Sequence, residues 1–291
     1  MYRGQLIPSG PAATAVARQP LPLQGPMDVE FFELSDLGKV RDGNEDYFGH
    51  AAPDAPTRVR SHGWLFVLAD GVGGQDHGEV ASRTAVDSVV AGFRDAVAGE
   101  PHSGLLSSLI QKANRRVFDA GHESGPTGSR MATTIVACAL RYNRAAIAHV
   151  GDSRCYLVRK GQTSLLTRDH TIAQEHVKLG ILSSDDLHHA ETRHVLSRCL
   201  GAEPIVSADV SEHEVFVDDV LLLCSDGLHN SVTPSELAAA TSHGGDLQLA
   251  AKRLVDIANQ RDGSDNISLQ LIRIRSVERV GMYRGRPYLL R

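Results

Sequence analysis

Short apolar runs bounded by polar or turn-forming residues recur along the chain. Runs of about four to eight apolar residues are typical of buried β-strands. They occur in "GWLFVLAD", "TTIVACAL", "RAAIAHVGD" and "DVLLLCSDG", and "NISLQLIRI" adds a run in which apolar and polar positions alternate with period two. The pattern predicts a strand in each segment.

Apolar residues at helical spacing predict three amphipathic helices, in "EVASRTAVDSVVAGFRDAVAG", "GLLSSLIQKANRRVFDAG" and "DLQLAAKRLVDIANQ". The apolar stripe of the first consists of Ala81, Ala85, Val89, Phe93 and Val97. Because helices come in pairs between groups of strands, the order argues against a regular βαβ alternation. It favours sheets layered with helices.

Local signals mark a further helix and a hairpin. In "TPSELAAA", Thr233 is placed as the N-cap, Pro234 as the first helical residue and Glu236 as the partner that completes a capping box. The stretch "RKGQT" inside "CYLVRKGQTSLLT" predicts a hairpin turn.

Composition restricts the class of protein. The chain has 291 residues, 42% hydrophobic and 22% charged, enough for a substantial core in one large domain. A net charge of −5 without a long basic run argues against nucleic-acid binding. No apolar stretch approaches the length of a membrane span, and the N-terminus lacks the apolar region of a signal peptide. The four cysteines form no CxxC pair, so we expect reduced thiols and a cytoplasmic protein.

The first 27 residues differ from the rest. They contain five of the twelve prolines and no acidic residue. We interpret residues 1–27 as a flexible Pro/Ala-rich tail, with the folded body beginning at about Asp28. A docking segment is the alternative.

Carboxylates stand at the ends of the predicted strands. Asp70, Asp152 and Asp226 each follow an apolar run, Asp265 precedes the last strand, and Asp46 lies near the start of the body. If these strand ends converge, the like charges would drive one another toward protonation unless a cation neutralises them. Oxygen ligands without cysteine suit hard divalent ions such as Mg²⁺ or Mn²⁺.

The glycines after Asp70 permit two interpretations. Gly71 offers a carbonyl that can bind a metal, and glycine would permit unusual backbone angles there. Each Asp-Gly pair taken singly is an ordinary turn signal. Asp152 likewise has an alternative role, as the partner of Arg154 in a partly exposed ion pair.

The ordered set of motifs resembles the metal-dependent protein phosphatases of the type-2C kind, in their bacterial form. The matching segments are "SDLGKVRDGNEDYF", "LADGVGGQDHGEVAS", "AHVGDSRCYLVRKGQTSLLTRDHT", "LSRCLG", "LLLCSDGLHNSV" and "GSDNISLQLI". The resemblance implies an α+β fold, a four-layer α-β-β-α sandwich of two antiparallel sheets flanked by paired helices. It places the phosphatase domain at residues 28–276 and a C-terminal extension at 277–291.

The resemblance also assigns roles to residues. The two-metal core would consist of Asp46, Asp70, the Gly71 carbonyl, Asp226 and Asp265. Asp70 would bridge the two metals, and Asp152 with Asp226 would hold a third. Arg41 would bind the phosphoryl oxygens through its planar guanidinium. Two or three Mn²⁺ or Mg²⁺ ions are therefore expected, with a metal-bridged hydroxide attacking phosphorus in line.

The chain departs from the family at the expected proton donor. Gln75 stands where members usually have a histidine, and His77 is the candidate replacement as catalytic acid, with a solvated side chain as the alternative. The family's Gly-Thr-Thr is here "ATT", from Ala132 to Thr134, a change expected to touch no metal ligand.

Residues 168–198 are polar, with helical or irregular structure expected. By resemblance they contain a flap beside the active site. His188, His189 and His194 lie there without an established zinc-ligand spacing, so we interpret them as solvated.

Two functions from different classes follow. The first is a serine/threonine phosphatase acting on phosphoserine and phosphothreonine. The alternative is a phosphatase-like regulator that binds phosphoproteins with little turnover, and the complete ligand set favours the first. The expected partners are phosphorylated proteins and a cognate Ser/Thr kinase. Neither nucleic acid nor membrane is expected as a partner, and a monomer is predicted.

Overall fold

The computed structural model describes residues 27–72, 77–123, 131–187, 190–241, 244–278, 280–283 and 286–289. Residues 1–26, most of the predicted tail, lie outside the described residues, as do Gln75, His188 and His189. Within the described part of the chain, no helix has the length and apolar character needed to cross a membrane.

Strands and helices alternate in groups. The strands are β1 (Asp28–Asp36), β2 (Asp46–Ala51), β3 (Trp64–Val72), β4 (Ala132–Thr133), β5 (Ile135–Arg141), β6 (Arg144–Val150), β7 (Arg154–Arg159), β8 (Gln162–Leu165), β9 (Asp209–Glu214), β10 (Val220–Cys224), β11 (Ile267–Ser276), β12 (Val280–Tyr283) and β13 (Arg286–Leu289). The helices are α1 (Pro56–Ser61), α2 (Gly78–Arg94), α3 (His102–Glu123), α4 (Ile172–Lys178), α5 (Asp226–His229), α6 (Pro234–Ala240) and α7 (Leu247–Arg261).

Two antiparallel sheets organise the described residues. One has the strand order β2-β3-β5-β6-β9, with β4 paired to β3, and the other has the order β1-β11-β10-β7-β8. Strands β12 and β13 form a separate hairpin within the predicted C-terminal extension. The predicted α+β class is confirmed.

Strand β3 shows how the layers are built. Leu65 and Val67 pack in a core shared with α2 and α3. Trp64 and Phe66, on the opposite face, pack in the layer between the two sheets. A third core joins the second sheet to α6 and α7. The predicted four-layer sandwich follows from these three cores.

Because both faces of the central strands are covered, the alternation in β11 does not separate buried from exposed positions. Ser268 and Gln270, the polar members of the pattern, are fully buried. The Gln270 Nε2 group donates to Glu33 Oε1 at 2.7 Å, and the Ser268 and Ser35 hydroxyls lie 2.7 Å apart. These hydrogen bonds satisfy polar groups that burial would otherwise penalise.

The end of α2 differs from the prediction. The helix stops at Arg94, and Val97, expected on its apolar stripe, is 74% exposed. Gly99 adopts φ = +82°, and Pro101 precedes α3. A left-handed glycine and a proline therefore separate α2 from α3.

Other local predictions are confirmed. The Thr233 side chain and Glu236 form the capping box at the start of α6. The β7–β8 hairpin turns at Lys160 and Gly161, with φ values of +51° and +76°. Positive φ at both central residues is the signature of a type I′ turn.

The start of the described chain is already part of the core. Met27 is 1% exposed and packs between the sheets, one residue before the predicted boundary at Asp28. Val277, one residue beyond the predicted end of the domain, is partly buried against the same layer.

Candidate metal centre

The structure brings the five predicted aspartates to one edge of the sandwich. Asp46 begins β2 and lies directly opposite Asp70 of β3. Direct cross-strand partners point to the same face of a sheet, here the face toward the second sheet. Asp152 follows β6, Asp226 begins α5 directly after β10, and Asp265 precedes β11. We call Asp46, Asp70, Asp152, Asp226 and Asp265 the acidic cluster.

A cleft of about 850 Å³ opens onto the acidic cluster. Asp70, Asp152, Asp226 and Asp265 line it together with Gly71. Asp46 and Asp152 are each only 8% exposed, so little solvent reaches their carboxylates.

The carboxylates of the acidic cluster destabilise one another's charged forms. Burial raises the pKa of Asp70 well above its ordinary value, and the charges of Asp46 and Asp226 raise it further. Burial also raises the pKa of Asp46 and of Asp152, each to about 7, and the neighbouring charge of Asp226 adds to both. Such a group of buried oxygens fits divalent cations of the Mg²⁺ or Mn²⁺ type, whose charge would restore the ionised carboxylates.

A buried serine orients Asp46. The Ser225 hydroxyl donates to Asp46 Oδ2 at 2.7 Å and accepts from the Ser268 backbone N–H at 3.0 Å. Because the N–H of Ser268 occupies an acceptor site of the hydroxyl, its single hydrogen is directed to Asp46. Hydrogen bonds from Ser268 and Ser225 lower the pKa of Asp46, which opposes part of the effect of burial.

Two threonines hold the backbone of Asp70. The Asp70 N–H donates to Thr134 Oγ1 at 2.9 Å, and the Thr133 hydroxyl donates to the Asp70 carbonyl at 2.8 Å. Sequence reasoning considered "ATT" only for its alanine. The pair of hydroxyls beside a strand that ends in a ligand was the signal that could have revealed this support.

The sequence analysis attributed the glycine at position 71 to unusual backbone angles, and this explanation was wrong. Gly71 does not have a left-handed φ. A Cβ there would lie 2.3 Å from the Gly78 carbonyl oxygen and 2.8 Å from that of Glu45. Close approach of three backbone segments, and not an unusual angle, excludes a side chain. The metal-binding role of the Gly71 carbonyl stays a prediction.

Arg41 reaches the cleft and contacts the acidic cluster. Its Nη2 group donates to Asp265 Oδ2 at 2.8 Å, and this hydrogen bond raises the pKa of the guanidinium. The side chain is 45% exposed, so the other guanidinium nitrogens remain near solvent. Glu45 also lines the cleft, and burial raises the pKa of its carboxyl.

Arg154 does not form the alternative ion pair with Asp152. Its Nε and Nη2 groups donate to the two carboxylate oxygens of Asp169 at 2.9 and 2.7 Å, and Nη1 donates to the Tyr156 hydroxyl. This bidentate pairing leaves the Asp152 carboxylate directed to the acidic cleft.

His77 lies at the N-terminus of α2, where it is the half-buried N-cap residue. Its side chain makes no capping hydrogen bond, and it is not among the described residues that line the cleft. Its role as proton donor stays a prediction.

Sequence reasoning missed the position of His194. The residue ends a short 3-10 helix at Glu191–His194, and its side chain is exposed, as expected. It nevertheless lines the acidic cleft beside Arg193, where a positive charge on it would oppose the burial that raises the pKa of Asp226. Membership of the flap was the signal available in the sequence.

Comparisons with known proteins agree with this geometry. The protein phosphatase 2C family model matches residues 42–260. The serine/threonine phosphatase stp of Listeria welshimeri is 33% identical over 264 residues, covering 89% of this chain and 99% of the relative. A solved serine/threonine phosphatase of S. agalactiae superposes with a TM-score of 0.76 at 29% identity, covering 84% of this chain and 99% of that one. The catalytic domain of the serine/threonine phosphatase PstP, in complex with 2 manganese ions, gives a TM-score of 0.72 at 29% identity, with coverages of 86% and 99%.

Proposed function

The chain belongs to the protein phosphatase 2C family, and on that premise we propose that its acidic cleft hydrolyses phosphoserine and phosphothreonine in protein substrates. It is a metal-dependent serine/threonine phosphatase that uses Mn²⁺ or Mg²⁺. One observation carries the location of the site. Four aspartates from separate segments line one cleft beside a fifth, Asp46, and burial together with their charges raises the pKa of Asp70, an arrangement that a divalent cation stabilises.

The residues that would hold two ions are Asp46, Asp70, the carbonyl of Gly71, Asp226 and Asp265. Asp152 and Asp226 would hold a third. The register that places Asp46 opposite Asp70 supports a shared core. When bound, such ions supply a water of lowered pKa as nucleophile and positive charge for the phosphoryl oxygens.

The chain's own residues orient the metal ligands and the phosphoryl group. Ser225 fixes the rotation of the Asp46 carboxylate, and the two threonine hydroxyls at 133 and 134 fix the backbone of Asp70. Arg41 binds the phosphoryl group, which requires its guanidinium to share or release Asp265. A planar fork suits two phosphoryl oxygens better than a point charge would.

The substrates, the opposing kinase, the cellular location and the oligomeric state are also proposals. The substrates are phosphorylated proteins, and a Ser/Thr kinase that phosphorylates them is the opposing enzyme. A net charge of −5 and four unbridged cysteines support a cytoplasmic protein that binds neither nucleic acid nor membrane. We propose that it acts as a monomer.

Phosphopeptide hydrolysis tests the proposal. Full-length protein should release phosphate from a phosphothreonine peptide with Mn²⁺ and lose this activity in a chelator. Asp70→Asn should lower kcat/KM by orders of magnitude, since it removes a negative ligand and keeps the shape. Asp54→Asn is the matched control, because Asp54 is 80% exposed and away from the cleft. Undiminished turnover in the chelator would overturn the metal-dependent site.

A further inference from the structure

His170 lies where the flap, residues 168–198, meets the segment that carries Asp152. Its backbone N–H donates to the Gly151 carbonyl at 3.0 Å, and its own carbonyl accepts from the Ser197 N–H at 2.9 Å. The Ile172 N–H donates to the Val195 carbonyl at 2.8 Å. The backbone of His170 therefore takes part in the hydrogen bonds that join the two ends of the flap, and it also connects the flap to Gly151.

The imidazole of His170 makes a second connection to the same peptide. Its Nδ1 atom accepts from the Gly151 N–H at 3.1 Å. In a neutral ring the proton is then on Nε2, which lies 3.3 Å from Asp209 Oδ2. His170 is 3% exposed, and burial lowers its pKa, as do the charges of His149 and Arg198. The ring thus accepts from Gly151, and its Nε2 atom makes a close electrostatic contact with Asp209 that is not a hydrogen bond.

This tautomer argues against a metal site at the same place. His149, His170 and Asp209 offer ligand atoms within 4.8 Å of one another. However, the Nε2 atom of His170 carries the proton as long as Nδ1 accepts from Gly151, and a protonated nitrogen cannot bind a metal. Arg198 also donates to Asp209 Oδ1 at 2.8 Å, which engages the carboxylate.

Gly151 is closely packed and requires glycine. Its φ is +103°, and a Cβ would lie 2.7 Å from the Thr134 side chain. On the other side of Asp152, the Asp152 carbonyl accepts from His229 Nε2 at 3.0 Å. Two imidazoles therefore hold the backbone on either side of the Asp152 side chain, one from the flap base and one from α5.

We propose that His170 is a positioning residue that fixes the flap relative to Asp152, through its paired contacts with Gly151 and Asp209. The inference rests on the proposed role of Asp152 as a ligand of the third ion. Losing the contact with Gly151 releases the Asp152 peptide, and losing the contact with Asp209 releases the flap base. One side chain therefore positions both the proposed third-ion site and the flap.

Three variants of the full-length protein separate the two contacts. His170→Ala removes both, His170→Asn keeps an acceptor near the position of Nδ1, and His170→Gln keeps a donor near the position of Nε2. Calorimetric titration with Mn²⁺ should show binding of the proposed third ion weakened about 10-fold or more in His170→Ala, the usual effect of losing a residue that supports a metal ligand. His170→Asn should restore most of that affinity. By hydrogen exchange, flap amides should exchange faster in His170→Ala and His170→Asn, and less so in His170→Gln.

Two further variants make the outcome decisive. His149→Ala removes the imidazole stacked on His170 but leaves Gly151 and Asp209 their partner, so it should keep Mn²⁺ affinity within about twofold. Asp152→Asn should remove the proposed third ion. If Asp152→Asn keeps every ion, the metal role of Asp152 fails and this inference fails with it. If Asp152→Asn loses the ion while His170→Ala keeps wild-type Mn²⁺ affinity and exchange, this inference alone is overturned.

Discussion

Asp46 and Asp70 are direct partners across the β2–β3 ladder, and the buried Asp46 lies beside the half-buried Asp70 at the edge between the two sheets. Two acidic residues in this relationship oppose folding when no cation is present, because like charges directly opposite each other are unfavourable. The same relationship makes the pair a preformed site for a divalent ion. Stability, pH and metal content are therefore linked in this protein.

In a chelator, stability should fall as the pH rises from about 4 to about 7. The folded chain holds the pKa of Asp46 and of Asp152 at about 7, against an ordinary value of 3.8. Between these values the folded state binds more protons than the unfolded state, so the free energy of unfolding decreases with increasing pH. Scanning calorimetry should show a declining melting temperature, by roughly 2–4 °C for each 1 kcal/mol lost.

Mn²⁺ should reverse this trend, because it replaces the protons that neutralise the acidic cluster. The rise in melting temperature on adding Mn²⁺ should be larger at pH 8 than at pH 5. Asp152→Asn should flatten the profile measured in chelator, since it removes one titrating carboxyl. A pH-independent melting temperature for the metal-free wild type would contradict the linkage.

Ser225→Ala should weaken Mn²⁺ binding about 10- to 100-fold, the usual effect of losing a hydrogen bond that orients a ligand. The variant removes the hydroxyl that donates to Asp46 and leaves the Ser268 N–H without its acceptor. Ser82→Ala is the control, because Ser82 is equally buried but bonds only within α2. Equal Mn²⁺ affinities in the two variants would remove Ser225 from the site.

Arg154→Ala should destabilise the fold by about 3 kcal/mol, because it leaves the buried Asp169 carboxylate without its partner. The double variant Arg154→Met with Asp169→Leu should recover most of that loss, as both charges are gone. Denaturant unfolding measures both effects. If Asp152→Ala were to reproduce the stability loss of Arg154→Ala, the observed pairing of Arg154 with Asp169 would be in doubt.

If His77 is the proton donor, as the sequence predicts, His77→Ala should lower kcat more for an alkyl phosphoester than for an aryl one. Aryl leaving groups need little protonation, so a missing general acid slows alkyl substrates selectively. Comparing kcat for a phosphothreonine peptide and p-nitrophenyl phosphate makes the distinction. Equal effects on the two substrates would remove His77 as the candidate proton donor.

Deleting residues 1–26 should leave folding and Mn²⁺-dependent turnover largely unchanged, as their sequence has no periodic apolar face. Met27→Ala in the otherwise complete chain should cost about 2–5 kcal/mol, because Met27 is 1% exposed between the sheets. Thermal unfolding of the two proteins shows where the folded body begins. A large loss of stability on deleting residues 1–26 would contradict the predicted tail.

Several features could be predicted from the sequence because their signals lie within a few neighbouring residues. The capping box of Thr233 and Glu236, the hairpin at Lys160–Gly161 and the strands that end in aspartate are all local patterns. Strand ends that carry carboxylates in successive apolar runs indicated a shared metal site before any contact was known. The order of the motifs indicated the four-layer sandwich.

Other features depend on long-range register, which no local pattern encodes. Ser225 and Asp46 are 179 positions apart, and only the packing of β10 and β11 against β2 brings them into hydrogen-bonding contact. The burial of Gln270 likewise follows from covering β11 on both faces, which period-two alternation does not reveal.

The sequence by itself determined which residues could bind a metal, since hard cations require oxygen ligands and the chain offers carboxylates at the ends of several apolar runs. The tertiary structure decided which neighbours hold them. Arg154 pairs with Asp169 and not with the nearby Asp152, and Gly71 is required by the close approach of the Gly78 carbonyl. The physical reason is that side-chain partners are selected by distances across the fold, whereas the chemical identity of a ligand is already present in the residue.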